Sequence, residues 1–215
     1  MLYLKKDIID GGSFMKILFI CTGNTCRSPM AKALLQSKVP EAEVQSAGIY
    51  AGENQHANQN TIKVLQEIDI PLNHHSQPVT NHLLNWADLI LTMTTQHKQL
   101  LIMQYPNYQD KYFTLKEYVS ETDKKVWDQL KKLYADYEEK RSIFIQENAH
   151  KLNNKKLDES IATRFQGDII KIQQLESTLI NYDISDPFGG ELRVYEETLK
   201  EMEQYIDLLV KKTKK

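Results

Sequence analysis

Within the stretch Cys21-Thr22-Gly23-Asn24-Thr25-Cys26-Arg27-Ser28 a thiol is followed, after five intervening residues, by a guanidinium. A loop of that length can curl so that successive backbone N–H groups face inward, which makes a concave seat for a tetrahedral oxyanion. Arg27 would close the seat, because its planar fork can hold two phosphoryl oxygens at once. Cys21 would then be the nucleophile, since inward amides, a helix N-terminus and a neighbouring cation all favour a thiolate. Ser28 can donate a hydrogen bond to that sulfur, and Asn24 is a residue type that tolerates left-handed backbone. The chemistry implied is phosphoryl transfer through sulfur.

These residues need a strand before them and a helix after them. Lys16–Ile20 reads KILFI, a continuous apolar run suited to a strand covered on both faces. After the loop, Pro29 fits a first helical turn, Ser28 is a candidate cap, and Met30–Leu35 are good helix formers. Further on, Glu43–Ala47 predicts a second strand and Asn58–Ile68 a helix, with Pro71 marking a turn. Thr80 would cap a short helix to Trp86. Ala87–Met93 then reads as a strand, Thr95–Gln104 as a helix and Tyr112–Leu115 as a last strand. Alternating strands and helices predict an α/β three-layer sandwich around a short four-stranded parallel sheet. Leu192, Tyr195, Leu199, Met202, Ile206 and Leu209, three or four apart, predict a long closing helix.

Two segments stand outside this frame. Residues 1–14 read as a flexible extension with Gly11-Gly12-Ser13 as its lead-in, and Met15, just ahead of the first strand, is a second candidate start. Residues 121–181 carry two helical stripes, Val126-Leu130-Leu133-Tyr137 and Ile161-Phe165-Ile169-Ile172, and predict an inserted helical hairpin. Eleven acidic and eleven basic side chains balance in that insert, so it is no basic patch. Its roles left open are a lid, a substrate-docking arm, a dimer contact or a tolerated surface insertion. The rest, residues 15–215, reads as one domain.

Composition narrows the class. The 27 Lys and Arg against 29 Asp and Glu give a net charge of −2, which argues for neither nucleic acid nor an anionic membrane as partner. The opening residues lack the apolar run of a signal peptide, and no segment has the length and apolarity of a membrane span. Both cysteines lie in one short stretch, which is not a disulfide framework and points to a reducing compartment, hence a cytoplasmic location. The six histidines (His56, His74, His75, His82, His97, His150) lack paired metal spacing and read mostly as surface or capping residues, so neither metal nor cofactor is expected. Trp86 and Trp127 read as core residues on apolar helical faces.

CTGNTCRS followed by PMAKALL resembles the active-site loop of the low-molecular-weight protein tyrosine phosphatase superfamily. SAGIYAG at 46–52, ADLILTMTTQHKQLL at 87–101, KYFTLKEYV at 111–119 and DISDPFGG at 183–190 are similar to its bacterial protein-arginine phosphatase branch. The resemblance covers residues 15–119 and 183 to about 210, and the long insert departs from it. It implies Cys21 as nucleophile, a phosphate-binding loop from Thr22 through Gly23, Asn24, Thr25 and Cys26 to Arg27, and Asp186 as general acid. A positioned proton donor is also what a phosphoryl leaving group needs. Taken alone, Ser185-Asp186-Pro187 is an ordinary turn signal, and a lone cysteine after a strand is an ordinary packed residue.

By the same resemblance, Thr25 and Phe188 bear on the substrate. Tyrosine-specific relatives commonly carry an aliphatic residue at the position of Thr25, and Phe188 offers one aromatic face on which a guanidinium can stack. Cys26 is implied as a redox partner that traps an oxidised Cys21. The expected activity is hydrolysis of phosphoarginine in proteins, with phosphorylated proteins as partners. The alternatives are a tyrosine phosphatase with the same machinery and a phosphate-binding adaptor without turnover. An arsenate reductase would need relay cysteines beyond Cys26.

Overall fold

The computed structural model describes residues 9–10, 13–120, 122–148, 151, 154–179 and 181–213. The chain divides into two compact units, residues 1–119 with 182–215 and residues 120–181.

In the first unit, β1 (Ile9–Asp10) pairs antiparallel with β2 (Ser13–Phe14). Residues 1–8 and the Gly11-Gly12 part of the expected lead-in lie outside the described residues. Then follow β3 (Ile17–Cys21), α1 (Arg27–Lys38), β4 (Val44–Gly48), α2 (Gln59–Gln66), α3 (Asn81–Trp86), β5 (Leu89–Thr92) and α4 (Thr95–Gln104). A 3-10 helix (Pro106–Lys111), β6 (Tyr112–Thr114) and α5 (Leu115–Val119) lead to the insert, and α9 (Leu192–Thr213) closes the unit. The last strand is thus shorter than its sequence pattern predicts, and Leu115 opens a helix.

The sheet is parallel, in the order β4-β3-β5-β6. Side chains alternate across a strand, so Ile17, Phe19 and Cys21 enter one core cluster while Leu18 and Ile20 enter the other. That is the physical meaning of an unbroken apolar run: both faces are covered. The first cluster holds Met30 and Leu34 of α1, Val64 and Leu65 of α2, and Tyr195, Leu199, Met202, Ile206 and Leu209 of α9. Leu83 and Leu84 of α3 and Leu101 of α4 fill the second. From β3 the chain steps to β4 on one side and later to β5 on the other. The end of β3 is therefore the topological switch point, where open α/β sheets leave a crevice.

The second unit is helical: α6 (Thr122–Asn148), α7 (Asn154–Arg164) and α8 (Gln166–Glu176). The return arm of the expected hairpin is split at Phe165, whose backbone (φ −104°, ψ 16°) leaves helical geometry. Its ring lies edge-on to Tyr137 at 6.0 Å and to Phe144 at 5.9 Å, so packing around one aromatic sets the break. Leu130, Ile161, Phe165 and Ile172 are buried, whereas Trp127 is 39% exposed and is not the core residue its pattern suggests.

Candidate active site

The loop after β3 bends continuously from Thr22 to Cys26 and enters α1 at Arg27. Its carbonyls are claimed from outside the loop. Cys21 O accepts from Ile49 N at 3.0 Å, Thr22 O from Tyr50 N at 2.9 Å, Thr25 O from Asn58 N at 2.9 Å and Cys26 O from Met30 N at 3.2 Å. Asn24 O lies 2.7 Å from His74 Nε2. A planar trans peptide sets its N–H opposite its C=O. Outward carbonyls at 21, 22, 24, 25 and 26 therefore turn the amides of Thr22, Gly23, Thr25, Cys26 and Arg27 toward the inside of the bend. Inward amides at the start of a helix are an arrangement that can seat an anion.

Asn24 makes the curl possible. It sits at φ 54°, the left-handed region asparagine tolerates. Its side chain is fully buried, donating to Ser28 Oγ at 2.9 Å and Ser46 Oγ at 3.0 Å and accepting from Gln77 N at 3.0 Å. The Asn24 side chain is thus committed to holding the loop and does not face an anion. Gly48, at the end of β4, presses on the same loop: a Cβ there would lie 2.6 Å from Thr22 O and 2.8 Å from Asn24 N. Only glycine lets the strand approach so closely.

Cys21 ends β3 as a buried free thiol, with Ser28 Oγ 3.0 Å from its sulfur. Ser28 is not the helix cap its position suggests. Cys26 occupies that place without a side-chain cap, and Ser28 Oγ instead lies 3.0 Å from Cys21 Sγ, accepts from Asn24 Nδ2 at 2.9 Å and lies 3.4 Å from Ala47 O. Burial pushes the Cys26 thiol up, against hydrogen bonds with Thr25 and Tyr195 that favour its thiolate, while the charge of Cys21 pushes it up further. The Cys26 sulfur lies 3.7 Å from Thr25 Oγ1 and 3.8 Å from Tyr195 OH.

Arg27, 4% exposed, reaches across to the segment before α9. Its Nη2 lies 2.7 Å from Asp186 Oδ2, and its Nη1 donates to Ile184 O at 3.4 Å. Neighbouring residues tether that segment. Asp183 Oδ1 accepts from Thr95 N at 2.7 Å and from Thr95 Oγ1 at 2.9 Å. Ile184 N donates to Met93 O at 2.8 Å. Ser185 N and Oγ donate to Glu201 Oε2 at 3.1 and 2.7 Å, and Lys116 Nζ lies 2.6 Å from Glu201 Oε1. Asp186 also accepts from Phe188 N at 3.2 Å, and Pro187 O accepts from Gly190 N at 2.9 Å over Gly189 at φ 80°. A positive φ at the third position of a turn favours glycine. Phe188 itself stands 74% exposed.

Sequence reasoning missed three contributors. His74 and His97 are buried at 8% and 6%, not surface residues, and each holds a different residue of the loop. Gly48 stands inside the SAGIYAG segment, which by itself does not reveal its contact with the loop. Their partners lie far away in the chain, so no local pattern announces them. His150 is outside the described residues. Among the described residues no helix is long and apolar enough to cross a membrane.

A family model described as low molecular weight phosphotyrosine protein phosphatase matches residues 16–163. A protein-arginine-phosphatase of Bacillus subtilis (strain 168) is 35% identical over 206 residues, covering 94% of this chain and 98% of its own. A low molecular weight protein-tyrosine-phosphatase of Staphylococcus epidermidis is 40% identical over 108 residues, 50% of this chain and 76% of its own. The solved YwlE arginine phosphatase from Geobacillus stearothermophilus superposes with a TM-score of 0.63 at 33% identity, covering 92% of each chain.

Proposed function

This chain belongs to the low molecular weight phosphotyrosine protein phosphatase family, and from that premise we propose that it removes phosphate from phosphoarginine in cytosolic proteins through a cysteinyl-phosphate. The observation that carries this reading is the pair of Arg27 and Asp186, 2.7 Å apart, set at the mouth of a loop whose carbonyls are drawn outward at all but one position and whose first residue is a free thiol. A nucleophile, an anion seat and a proton donor then meet at one place.

In the first step the Cys21 thiolate attacks phosphorus. An S–P bond forms, the P–N bond breaks, and Asp186 passes its proton to the departing guanidine nitrogen. The inward amides and Arg27 hold the equatorial oxygens while charge moves across them. In the second step a water attacks phosphorus, the ionised Asp186 takes its proton, and the S–P bond breaks to return the thiolate. Ser28 Oγ, 3.0 Å from the sulfur, stabilises that anion at both ends of the cycle.

The preference for arginine rests on the long match to a curated arginine phosphatase, on the hydroxyl of Thr25 within the loop and on the exposed ring of Phe188, on which a guanidinium can stack. The shorter match to a tyrosine phosphatase favours a second reading with the same chemistry on phosphotyrosine. Measuring kcat/KM on phosphoarginine and phosphotyrosine peptides decides between them, and a tenfold or greater preference for tyrosine overturns the arginine reading.

Cys26 has a second role in this proposal. Peroxide would convert Cys21 to a sulfenic acid, and Cys26 would attack that sulfur, form a disulfide and release water. Peroxide inactivation reversed by thiol in the wild type, but not in Cys26→Ala, is the expected result. Equal recovery in both would refute the trap.

A further inference from the structure

The start of α4 touches both halves of the site. Thr94 caps the helix, its Oγ1 accepting from His97 N at 3.1 Å. The His97 ring then spans two hydroxyls, with Nδ1 2.8 Å from Thr94 Oγ1 and Nε2 2.9 Å from Thr22 Oγ1. Thr22 is the first bend of the phosphate loop, and its carbonyl is already held by Tyr50 N. The ring grips the residue's other polar group. One residue away, Thr95 is the anchor of Asp183, and Met93 O anchors Ile184, so the acid segment hangs from the same helix end.

A neutral ring satisfies both contacts when Thr94 Oγ1 donates to His97 Nδ1 and His97 Nε2 donates to Thr22 Oγ1. Burial disfavours the imidazolium, as does the charge of Arg27, and together they outweigh Asp186 and Asp183, bringing His97 down to about 4.

We propose that His97 is a positioning residue of this site, which fixes the first bend of the phosphate loop through the Thr22 hydroxyl and ties that bend to the helix end from which the acid segment is hung. The proposal rests on the reading of residues 21–27 as an anion seat. It predicts that His97 governs anion binding without touching the anion.

The test is a double-mutant cycle in which the affinity for inorganic phosphate is read by calorimetry, alongside kcat and KM on an aryl phosphate. His97→Phe removes both nitrogens, and Thr22→Val removes the hydroxyl. Each should weaken phosphate binding by about two- to tenfold, the worth of one neutral hydrogen bond, and the double variant should be no worse than the poorer single one. His97→Gln, whose amide can reach the Thr22 hydroxyl, should recover most of the affinity when Thr22 is intact and none when it is combined with Thr22→Val.

Multiplying effects, or unchanged phosphate affinity in all variants, overturns the proposal. If His97→Phe does not fold, His97→Leu, which also removes both ring nitrogens, takes its place in the cycle. Calorimetry needs no turnover, so the outcome stands apart from the phosphatase reading, which fails instead if Cys21→Ser retains wild-type hydrolysis.

Discussion

Asp186 Oδ2 lies 2.7 Å from Arg27 Nη2, and the two side chains differ sharply in exposure, 52% for the acid against 5% for the arginine. The guanidinium is buried while the carboxylate is half exposed to solvent. Under the proposed mechanism a bound phosphoryl group would share Arg27 with Asp186, which would bring the acid beside the leaving atom. Asp186→Asn keeps the shape and removes the transferable proton. Its kcat on protein phosphoarginine should fall by about 10²–10⁴-fold. The loss should be much smaller on an aryl phosphate whose leaving group departs without help. Equal losses on both substrates in steady-state assays would reject the acid role.

The 3.0 Å contact between Ser28 Oγ and Cys21 Sγ predicts a reactivity change separable from folding. A hydrogen bond to an anion is worth about 1.5–3 kcal/mol, so Ser28→Ala should slow alkylation of Cys21 by iodoacetamide at pH 6 by about tenfold or more. The check is mass spectrometry of the peptide carrying Cys21 over a time course. An unchanged rate would mean that the hydroxyl serves only the Asn24 network.

Gly48→Ala would place a methyl group 2.6 Å from Thr22 O and 2.8 Å from Asn24 N. Both obstacles are backbone and cannot rotate away. The expected cost is about 1–3 kcal/mol of stability from overpacking with a loss of at least about tenfold in phosphate affinity, since the loop rather than the strand must shift. Urea unfolding and phosphate titration on one sample separate the two effects.

His97 carries a pH dependence of predictable sign. Its ring, ordinarily at 6.5, is held at about 4 in the folded chain, so between those values the unfolded chain binds the proton and the folded chain does not. Stability is complete above about pH 6.5 and falls as the solution is acidified toward 4. From this ring alone the loss between pH 7 and pH 5 is about 2 kcal/mol. His74 is shifted in the same direction, chiefly by burial, and adds to the trend. Denaturation midpoints of wild type and His97→Gln at the two pH values should converge at pH 5, and parallel curves would refute the assignment.

The helical unit at 120–181 supports a substrate-docking proposal through its position in the chain between α5 and the acid segment. Its excision should leave hydrolysis of a small aryl phosphate within about twofold, as expected where inserted surface segments carry little of the core's stability, while lowering kcat/KM on a phosphorylated protein. Equal effects on both substrates would remove docking from consideration.

Much of the fold around these residues is readable in the sequence. The apolar run at Lys16–Ile20 becomes β3 one residue later, and Arg27, at the start of the helix that follows, meets Asp186 of the Asp-Pro turn. What stays hidden has a common physical cause. His97 reaches Thr22 across 75 positions and His74 reaches Asn24 across 50, and a single sequence encodes such pairs in no periodicity. Ser28 looks like a cap because caps are local, yet its hydroxyl goes to a sulfur seven positions back. The break at Phe165 likewise follows from aromatic packing against Tyr137 and Phe144, not from a glycine or proline at that point.

The ion pair between Arg27 and Asp186 joins residues 159 positions apart. On a ribosome adding roughly 5–20 residues per second, synthesis of Arg27 precedes that of Asp186 by on the order of 10 s. The guanidinium therefore stays without this carboxylate until most of the chain has been made.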